Sequence, residues 1–285
     1  MSKEFFVGIG AAKAGTTWLG RYFSNHPQVG FSPLKELHYF DAMYCRDMCA
    51  SYNTHMEAKL TALLSNIKSP ISSNQLETLR CLTLRLEMPA NKNRYKDYFN
   101  LIAEEQHRIV GEITPSYSLL NEHGFSEIKK MYSNAKILFL MRDPVDRFWS
   151  HLRFEETCRG SERFRAEEKI NDCLSDPTFI LRTDYKRTLT ELYKAVPVAD
   201  VCVIFYEHLM NPLSHESELK KITNFLNIDY VKSNINSKVN ASKSIALSPE
   251  NAHAIAGKFF DVYEYANAHF SDSLPKEWKE NLSKL

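Results

Sequence analysis

The sequence predicts an α/β fold in which a parallel β-sheet is flanked by helices. Short apolar runs of strand type alternate with longer segments of helical periodicity, and this alternation is typical of parallel sheets. The runs that we interpret as strands cover residues 5–9, 28–31, 108–113, 135–141 and 201–205. Four informative segments follow strands directly, at 10–17, 33–41, 112–117 and 142–150. Because the carboxyl ends of parallel strands share one edge of the sheet, we expect these segments to form one site.

Helices are predicted where apolar residues recur at helical spacing. They cover residues 16–25, 54–66, 74–87, 92–104, 124–132, 144–154, 179–195, 214–226 and 249–269. We interpret about 42–107 as a helical insert, or lid, over the site of a single domain spanning residues 1–285. Its aromatic side chains Tyr95, Tyr98 and Phe99 favour an organic ligand beneath it. The polar stretch 155–175 is predicted to be a loop or short helices, and 236–248 a loop.

The composition is that of an ordinary globular protein, with 44% hydrophobic and 25% charged residues among 285. The net charge of +1 provides no global field for nucleic acid or an anionic membrane, so we expect neither as a partner. The apolar runs are too short to span a bilayer, and the N-terminus has no secretory pattern. If Met1 is the native start, we expect a cytoplasmic protein. The six cysteines lack C-x-x-C pairs and do not indicate a metal site.

The segment 10–15 is a glycine-flanked loop between the first strand and the first helix, and it carries one lysine, Lys13. Unpaired amides and the helix dipole hold phosphates at such junctions. The spacing from Gly10 to Gly15 matches the first part of a Walker A loop, but Thr16 stands where that motif has lysine. We therefore expect a phosphate other than the β- and γ-phosphates of a nucleoside triphosphate. The alternative is a tight turn with a solvated lysine.

A second candidate anion site begins where the fourth strand ends, at Arg142. Asp143 is a good N-cap and Pro144 suits the first helical position. Ser150 shares a helix face with Asp143 and Arg147, so a guanidinium and a hydroxyl could together bind a phosphate. The alternative is a salt bridge between Asp143 and Arg147, with Ser150 as filler.

With both segments in view, the chain resembles sulfotransferases that use 3′-phosphoadenosine 5′-phosphosulfate (PAPS). A-K-A-G-T-T-W at 12–18 resembles the family's 5′-phosphosulfate loop, and R-D-P-V-D-R-F-W-S at 142–150 resembles its 3′-phosphate segment. Further resemblances follow in order: K-E-L-H-Y-F-D at 35–41, G-E-I-T-P-S-Y at 111–117, V-I-F-Y-E-H-L at 203–209, N-F-L at 224–226 and K-V-N-A-S-K-S at 238–244. The resemblance covers about residues 5–245 and implies a P-loop-like sheet.

The resemblance also implies roles for the phosphate-binding residues. Lys13 would contact the bridging oxygen and the sulfonate of PAPS, and stabilise the leaving phosphate. The groups that would hold the 5′-phosphate belong to Ala14, Gly15, Thr16 and Thr17. Arg142 and Ser150 would hold the 3′-phosphate. No metal is required, and the product nucleotide is adenosine 3′,5′-bisphosphate (PAP).

The rest of the nucleotide site is implied in the same way. Trp18 would stack on the adenine, although a core aromatic is an open alternative. Tyr206 would lie near the adenine. Asn240 and Lys243 would come from the loop that closes over the nucleotide.

The catalytic base is expected in the segment 35–41. Glycan sulfotransferases with a similar pattern use the glutamate at this place, with the histidine beside it, which implies Glu36 and His38 here. The two residues are two apart, so on a strand-like segment both side chains would face the same side. The alternatives are a buried, hydrogen-bonded histidine and a salt bridge from Glu36 to Lys35. Glu112 is the next candidate.

Two departures from the family bear on the acceptor. Ile113 stands where the glycan branch often has lysine, which counts against a uronate-containing glycan, and 112–117 lacks the K-x-H of the small-phenol branch. We expect transfer to a hydroxyl or amine of an organic acceptor, a small metabolite before a glycan, as in bacterial metabolite tailoring. A homodimer stays open. The alternatives are a P-loop kinase or NTPase, and an inactive nucleotide-binding homologue.

Overall fold

A computed structural model describes residues 3–49, 51–67, 69–233 and 247–285 of the chain. The strands in chain order are β1 (Glu4–Gly10), β2 (Val29–Phe31), β3 (Ile109–Ile113), β4 (Lys136–Met141) and β5 (Val201–Phe205). They form one sheet in the order β2-β3-β1-β4-β5, and all neighbouring pairs are parallel. The expected α/β fold class is therefore confirmed, and each expected strand is present.

Helices cover both faces of the sheet and most of the remaining chain. Within the described ranges they are α1 (Thr16–Ser24), α2 (Phe40–Tyr44), α3 (Arg46–Cys49), α4 (Tyr52–Asn66), α5 (Ser73–Glu87), α6 (Asn93–Ile102), α7 (Glu122–Met131), α8 (Pro144–Arg159), α9 (Ile170–Cys173), α10 (Pro177–Ile180), α11 (Tyr185–Ala195), α12 (Tyr206–Leu209), α13 (His215–Phe225), α14 (Pro249–Lys258), α15 (Phe260–Phe270) and α16 (Lys276–Leu282). Two 3-10 turns cover Pro115–Leu119 and Val198–Asp200. In these described ranges, no helix combines the length and the apolar composition needed to cross a membrane.

The central strand β1 determines where the site lies. It pairs with β3 on one side and β4 on the other, so the chain order reverses at β1. Against β4, the register of β1 shifts between Gly8 and Gly10, and the amide of Ala11 then donates to the carbonyl oxygen of Leu140 at 2.6 Å. The chain therefore leaves the sheet in a crevice at the carboxyl ends of the strands, where open α/β sheets bind ligands.

The helices α4, α5 and α6 lie within the predicted insert, whose boundaries stay a prediction. Tyr95 and Tyr98 of α6 are fully buried and Phe99 is 1% exposed. The ring of Phe99 packs edge-on against Phe5 of β1 with centroids 5.0 Å apart. These three residues therefore pack α6 on the sheet, and the organic ligand expected beneath the insert stays a prediction.

Several predicted helices have different bounds in the structure. The helix expected over 249–269 is broken at Phe259, and the one over 179–195 is broken before Asp184, whose carboxylate caps α11. The helix after Asp143 continues past 154 and ends where Gly160 takes a φ of +83°. These differences depend on caps and on tertiary packing, which override helical periodicity.

Candidate active site

The end of β1, the loop that follows it and the start of α1 form a concave backbone cradle. Gly15 precedes α1 with a φ of +85°, a conformation that favours glycine. A Cβ atom on Gly15 would lie 3.0 Å from the ring of Tyr206, so this ring closes one side of the cradle. The first turn of α1 begins with Thr16 and Thr17 and contains no acidic residue. The unpaired amides of a helix start and the positive end of its dipole are thus available to an anion.

Arg142 follows β4 and lies beside the cradle. Its Nη1 donates to the carbonyl oxygen of Lys13 at 3.2 Å, and its guanidinium lies 4.6 Å from the ring centroid of Tyr206. The nearest carboxylate, that of Asp146, is 3.6 Å away and 60% exposed. The buried Nε of Arg142 has no hydrogen-bond partner among the described residues. The structure therefore brings the loop, Arg142 and Tyr206 onto one surface.

Asp143 has a structural role. One carboxylate oxygen accepts from two amides at the start of α8, as in an N-cap, and the other accepts from the Tyr263 hydroxyl at 2.9 Å and from Asn281 at 3.1 Å. Burial, followed by the charge of Asp146, raises the pKa of Asp143 to about 6. Arg147 is not among its partners, so the alternative of a salt bridge between Asp143 and Arg147 is wrong.

Arg147 is fully buried on α8 without a carboxylate partner in the described part of the chain. Its Nη2 donates to Nδ1 of His151 at 3.3 Å, while its Nε and Nη1 have no partner there. Burial and the charges of Arg182 and Arg142 lower its pKa to about 10. Burial of an unpaired cation is costly, so the charge of Arg147 would be stabilised by an anion bound in the neighbourhood of α8. Ser150 is half-buried one turn further along α8.

Lys13 completes the cationic side of the crevice. Its φ is +70°, and its Nζ lies 4.0 Å from the ring centroid of Phe154 on α8. Burial, followed by the charges of Lys35 and Arg142, lowers the pKa of Lys13. The ammonium therefore lies among like charges, which a bound anion would relieve.

Glu36, His38 and Asp41 form a hydrogen-bonded chain in the segment after β2. Nε2 of His38 lies 3.2 Å from Glu36 Oε2, and Nδ1 lies 2.7 Å from Asp41 Oδ2. The hydroxyl of Ser116 also donates to Asp41, and the ring of Tyr52 stacks on His38 at 3.5 Å. Lys35 links this cluster to Lys13, because it approaches Glu36 to 3.7 Å and its charge lowers the pKa of Lys13.

The backbone of this segment is not strand-like, so the geometric reason for pairing Glu36 with His38 was wrong. Glu36 has a φ of +60° and His38 a φ of +52°, which is the left-handed region. The two side chains nevertheless meet. The purely structural roles considered for these residues are also present, since His38 is buried and hydrogen-bonded and Lys35 contacts Glu36.

The protonation of this cluster follows from its geometry. Both nitrogens of His38 face carboxylates, which only accept hydrogen bonds, so a doubly protonated ring satisfies both. Burial would lower the pKa of His38, but the hydrogen bonds to Asp41 and Glu36 outweigh it and raise the pKa. Burial likewise works to raise the pKa of Glu36, but His38 and Lys35 hold it below its usual range. The lowered pKa of Glu36 and the raised pKa of His38 favour an ionised Glu36 paired with a protonated His38.

Two buried residues fix this cluster in place. Arg85 of α5 donates to the carbonyl oxygens of Leu37 and His38, the latter at 2.7 Å. Glu112 accepts from the hydroxyls of Tyr95 at 2.7 Å and Tyr117 at 2.9 Å, and from Thr114 and an amide as well. Because Glu112 is fully buried and saturated by donors, it is a structural hub, and its candidacy as the base was wrong.

The remaining residues predicted for the nucleotide site are either buried or outside the described part of the chain. Trp18 is 7% exposed and packs against Tyr22 and edge-on against His215 at 5.1 Å, which favours its core-aromatic alternative over adenine stacking. Ala14 is fully buried beneath the cradle. Asn240 and Lys243, and the predicted closing loop up to residue 246, lie outside the described residues.

Sequence reasoning assigned no role to four residues that the structure brings to the site: Asp41, Tyr52, Ser116 and Arg182. Asp41 stands in the segment 35–41 and could have been found by its spacing from His38. Ser116 stands in the segment 111–117 and could have been found by its position after the third strand. Arg182 follows α10, and its charge acts on Arg147 and on His151. No sequence signal indicated it, since the segment was predicted to be helical.

Comparisons with known proteins agree with this geometry. Residues 5–232 match the model of the sulfotransferase family. The membrane-associated sulfotransferase kil1 of Dictyostelium discoideum is 27% identical over 149 residues, which is 52% of this chain but only 22% of that longer protein. A crystal structure of a sulfotransferase from Alicyclobacillus acidocaldarius superimposes with a TM-score of 0.64 at 18% identity, covering 98% of this chain and 99% of that one, and so supports the fold. The chain belongs to the sulfotransferase family.

Proposed function

We propose that this protein transfers the sulfuryl group of PAPS to a hydroxyl or amine of an organic acceptor. One observation carries the proposal. The amide cradle at Gly15 lies beside the guanidinium of Arg142, which donates to the carbonyl oxygen of Lys13, so two surfaces that can bind anions share one crevice. A nucleotide with phosphate groups on both its 5′ and 3′ positions matches this pair of surfaces, and ATP, with all its phosphates on one position, does not.

The described residues fit PAPS. In this proposal, the backbone of Gly15, with Thr16 and Thr17, holds the 5′-phosphate, since helix starts bind such groups. Ala14 does not fit the role expected for it, because it is fully buried and its amide donates to the carbonyl oxygen of Ala11 at 3.2 Å. Arg142 and Ser150 hold the 3′-phosphate, and Arg147 adds a buried positive charge. Tyr206 lies against Gly15 and Arg142, where it would flank the nucleotide. The contributions of Asn240 and Lys243 stay predictions.

PAPS supplies an activated sulfuryl group, and the protein residues place and polarise the partners. The acceptor hydroxyl approaches Glu36, which takes its proton as the new sulfur–oxygen bond forms. Lys13 stabilises the charge that develops on the bridging oxygen as the old sulfur–oxygen bond breaks, and PAP leaves. His38, held by Asp41, keeps Glu36 ionised and oriented. This mechanism asks no metal to neutralise charge.

The acceptor that we propose is a small metabolite. The position at which glycan sulfotransferases often carry a lysine is occupied by Ile113, which is 6% exposed and packs against Gly8. It therefore offers no charge to an acidic sugar. A cytoplasmic location and a homodimer stay predictions; the relative kil1 is itself described as membrane-associated.

The alternatives have less support. A P-loop kinase would carry a lysine immediately after Gly15, where Thr16 stands. An inactive homologue would have no reason to keep the hydrogen-bonded chain of Glu36, His38 and Asp41 beside Lys13.

The experiment is a comparison of ligand-induced stabilisation followed by transfer. PAP without metal should raise the melting temperature, whereas ATP with Mg²⁺ should not; a ligand at a hundred times its Kd adds about 2.7 kcal/mol. The Arg142→Ala variant should lose this response, and Arg21→Ala, an exposed arginine of α1, should keep it. Candidate acceptors are then screened with PAPS labelled in its sulfuryl group. Stabilisation by ATP with Mg²⁺ alone would favour the kinase, and PAP binding without transfer would favour the inactive homologue.

A further inference from the structure

An exposed aromatic ring faces the ammonium of Lys13. Phe154 lies on α8 and is 47% exposed, which is unusual for so large an apolar side chain. Its ring centroid is 4.0 Å from Nζ of Lys13. Ser150 lies one turn before Phe154 on the same face of α8, so the ring stands at the rim of the proposed donor site.

The other groups around this ammonium are mostly cationic. The charged and titratable neighbours come from three parts of the chain: Lys35 after β2, Arg142 after β4, and Arg147, His151 and Cys158 of α8. Among the described residues, no carboxylate lies within ion-pair distance of Lys13. Repulsion by Lys35, Arg142 and Arg147 would therefore drive a free lysine side chain out of the crevice.

We propose that Phe154 is a positioning residue for Lys13, whose ring face holds the ammonium at the crevice through a cation–π contact. The proposal rests on the assigned role of Lys13 in sulfuryl transfer. The negative face of an aromatic ring attracts a cation at this distance and needs no countercharge that would compete with the donor's anions. A carboxylate in the same place would hold Lys13 more strongly, but it would also repel the sulfonate and the 5′-phosphate.

The contact with Phe154 restricts where the Lys13 ammonium can lie. The Lys13 backbone has a φ of +70°, so the stem of its side chain leaves the loop on a fixed side, and the ring of Phe154 limits where the ammonium can lie. The ammonium is thus held at the crevice before the donor binds. Phe154 thus acts on the transfer step through Lys13, without touching the reacting atoms.

The experiment replaces Phe154 by phenylalanine analogues that carry increasing numbers of fluorine atoms on the ring. Fluorination weakens the negative face stepwise while the size of the ring changes little, and cyclohexylalanine removes the π-system at similar volume. In the free protein, the titration of Lys13 is followed by trace acetylation across pH and quantification of the Lys13 peptide. With PAPS and an acceptor, single-turnover transfer is measured. Phe260, an exposed phenylalanine of α15, receives the same analogues as a control.

The pKa of Lys13 should fall progressively with fluorination, because the ring stabilises only the charged form. Transfer should fall with it, by about 2- to 5-fold from phenylalanine to cyclohexylalanine, the worth of an exposed cation–π contact. The Phe260 series should change neither. A Lys13 titration that is the same throughout the Phe154 series would overturn the proposal. If the titration responds but no transfer from PAPS occurs with any acceptor, the contact stands and the proposed function fails.

Discussion

Replacement of Asp41 by asparagine tests whether His38 holds a proton between two carboxylates. Asp41 is fully buried and accepts from His38 at 2.7 Å, from the Ser116 hydroxyl and from the amide of Ala42 at 2.9 Å. Asparagine has nearly the same size, but its one oxygen can accept from the Ala42 amide only if its NH2 group faces His38 and the Ser116 hydroxyl, which can turn to accept from it. It offers no charge to the imidazolium. The Asp41→Asn variant therefore loses the charge-assisted hydrogen bond to His38, and the Ser116 hydroxyl must reverse its role from donor to acceptor.

The loss of stability in Asp41→Asn depends on pH, and its sign follows from the direction in which folding shifts the pKa of His38. The pKa of His38 is raised in the folded protein, so its proton stabilises the fold below the pKa of an unfolded histidine, and this contribution is lost as the pH rises through the folded value. A hydrogen bond to a charged group is worth about 1.5–3 kcal/mol. At mildly acidic pH, Asp41→Asn should thus lower the free energy of unfolding by about that amount, and the difference should shrink as the pH rises.

The assay is urea denaturation of both proteins at closely spaced pH values, with the imidazole signal of His38 followed by NMR. Asp47→Asn is the matched control, since Asp47 is an exposed aspartate on the neighbouring α3. In Asp41→Asn the pKa of His38 should fall and that of Glu36 should rise, because Glu36 loses its cationic partner. The acid limb of the pH–rate profile should then move to higher pH. A stability difference that is the same at every pH would refute the reasoning.

Three further substitutions test the assigned roles. Glu36→Gln should abolish single-turnover transfer and leave PAP affinity unchanged, whereas His38→Ala should retain partial activity; a dead His38→Ala beside an active Glu36→Gln would reverse their roles. Lys13→Ala should lower turnover more than donor affinity, because charge develops on the bridging oxygen only in the transition state; a rise in the Michaelis constant for PAPS alone would make Lys13 a binding residue. Arg142→Ala should weaken PAP by roughly 1.5–3 kcal/mol and adenosine 5′-phosphate far less, as calorimetry can measure; equal weakening would contradict its assignment to the 3′-phosphate.

The sequence could predict the features that depend on local order along the chain. The glycine-flanked loop with Lys13, and the arginine and serine eight residues apart, follow strands that periodicity identifies. Because parallel strands end at one edge, the order of these segments along the chain is enough to predict that they meet. The contact between Arg142 and the Lys13 carbonyl is a direct consequence of that topology.

Features that depend on long-range packing could not be predicted. Periodicity does not reveal that α6 turns its aromatic face to β1, or that Trp18 packs in the core. The alternation of side chains along a strand predicts that Glu36 and His38 lie on the same side. Their backbone is left-handed instead, and it is stabilised by Arg85, nearly fifty residues away, which donates to the carbonyl oxygens of Leu37 and His38. The sequence likewise could not predict that Arg147 lacks a carboxylate partner among the residues that the structure describes. Its spacing from Asp143 on one helix face suggests a salt bridge, but the Asp143 carboxylate accepts hydrogen bonds from Tyr263 and Asn281 instead.

The unpaired state of Arg147 also explains why ligand-induced stabilisation is a sensitive test. A protein that buries a cation without a countercharge gives up stability for as long as its site holds no anion. An anion bound beside Arg142 would therefore offset part of this electrostatic penalty through its charge, as well as adding its own contacts. The response should weaken little with added salt, because the nitrogens concerned are buried and buried charges are screened much less than exposed ones. Nucleotides held only by the exposed Lys35 would lose their effect as the salt concentration rises, so the salt dependence separates binding in this crevice from loose attraction to its rim.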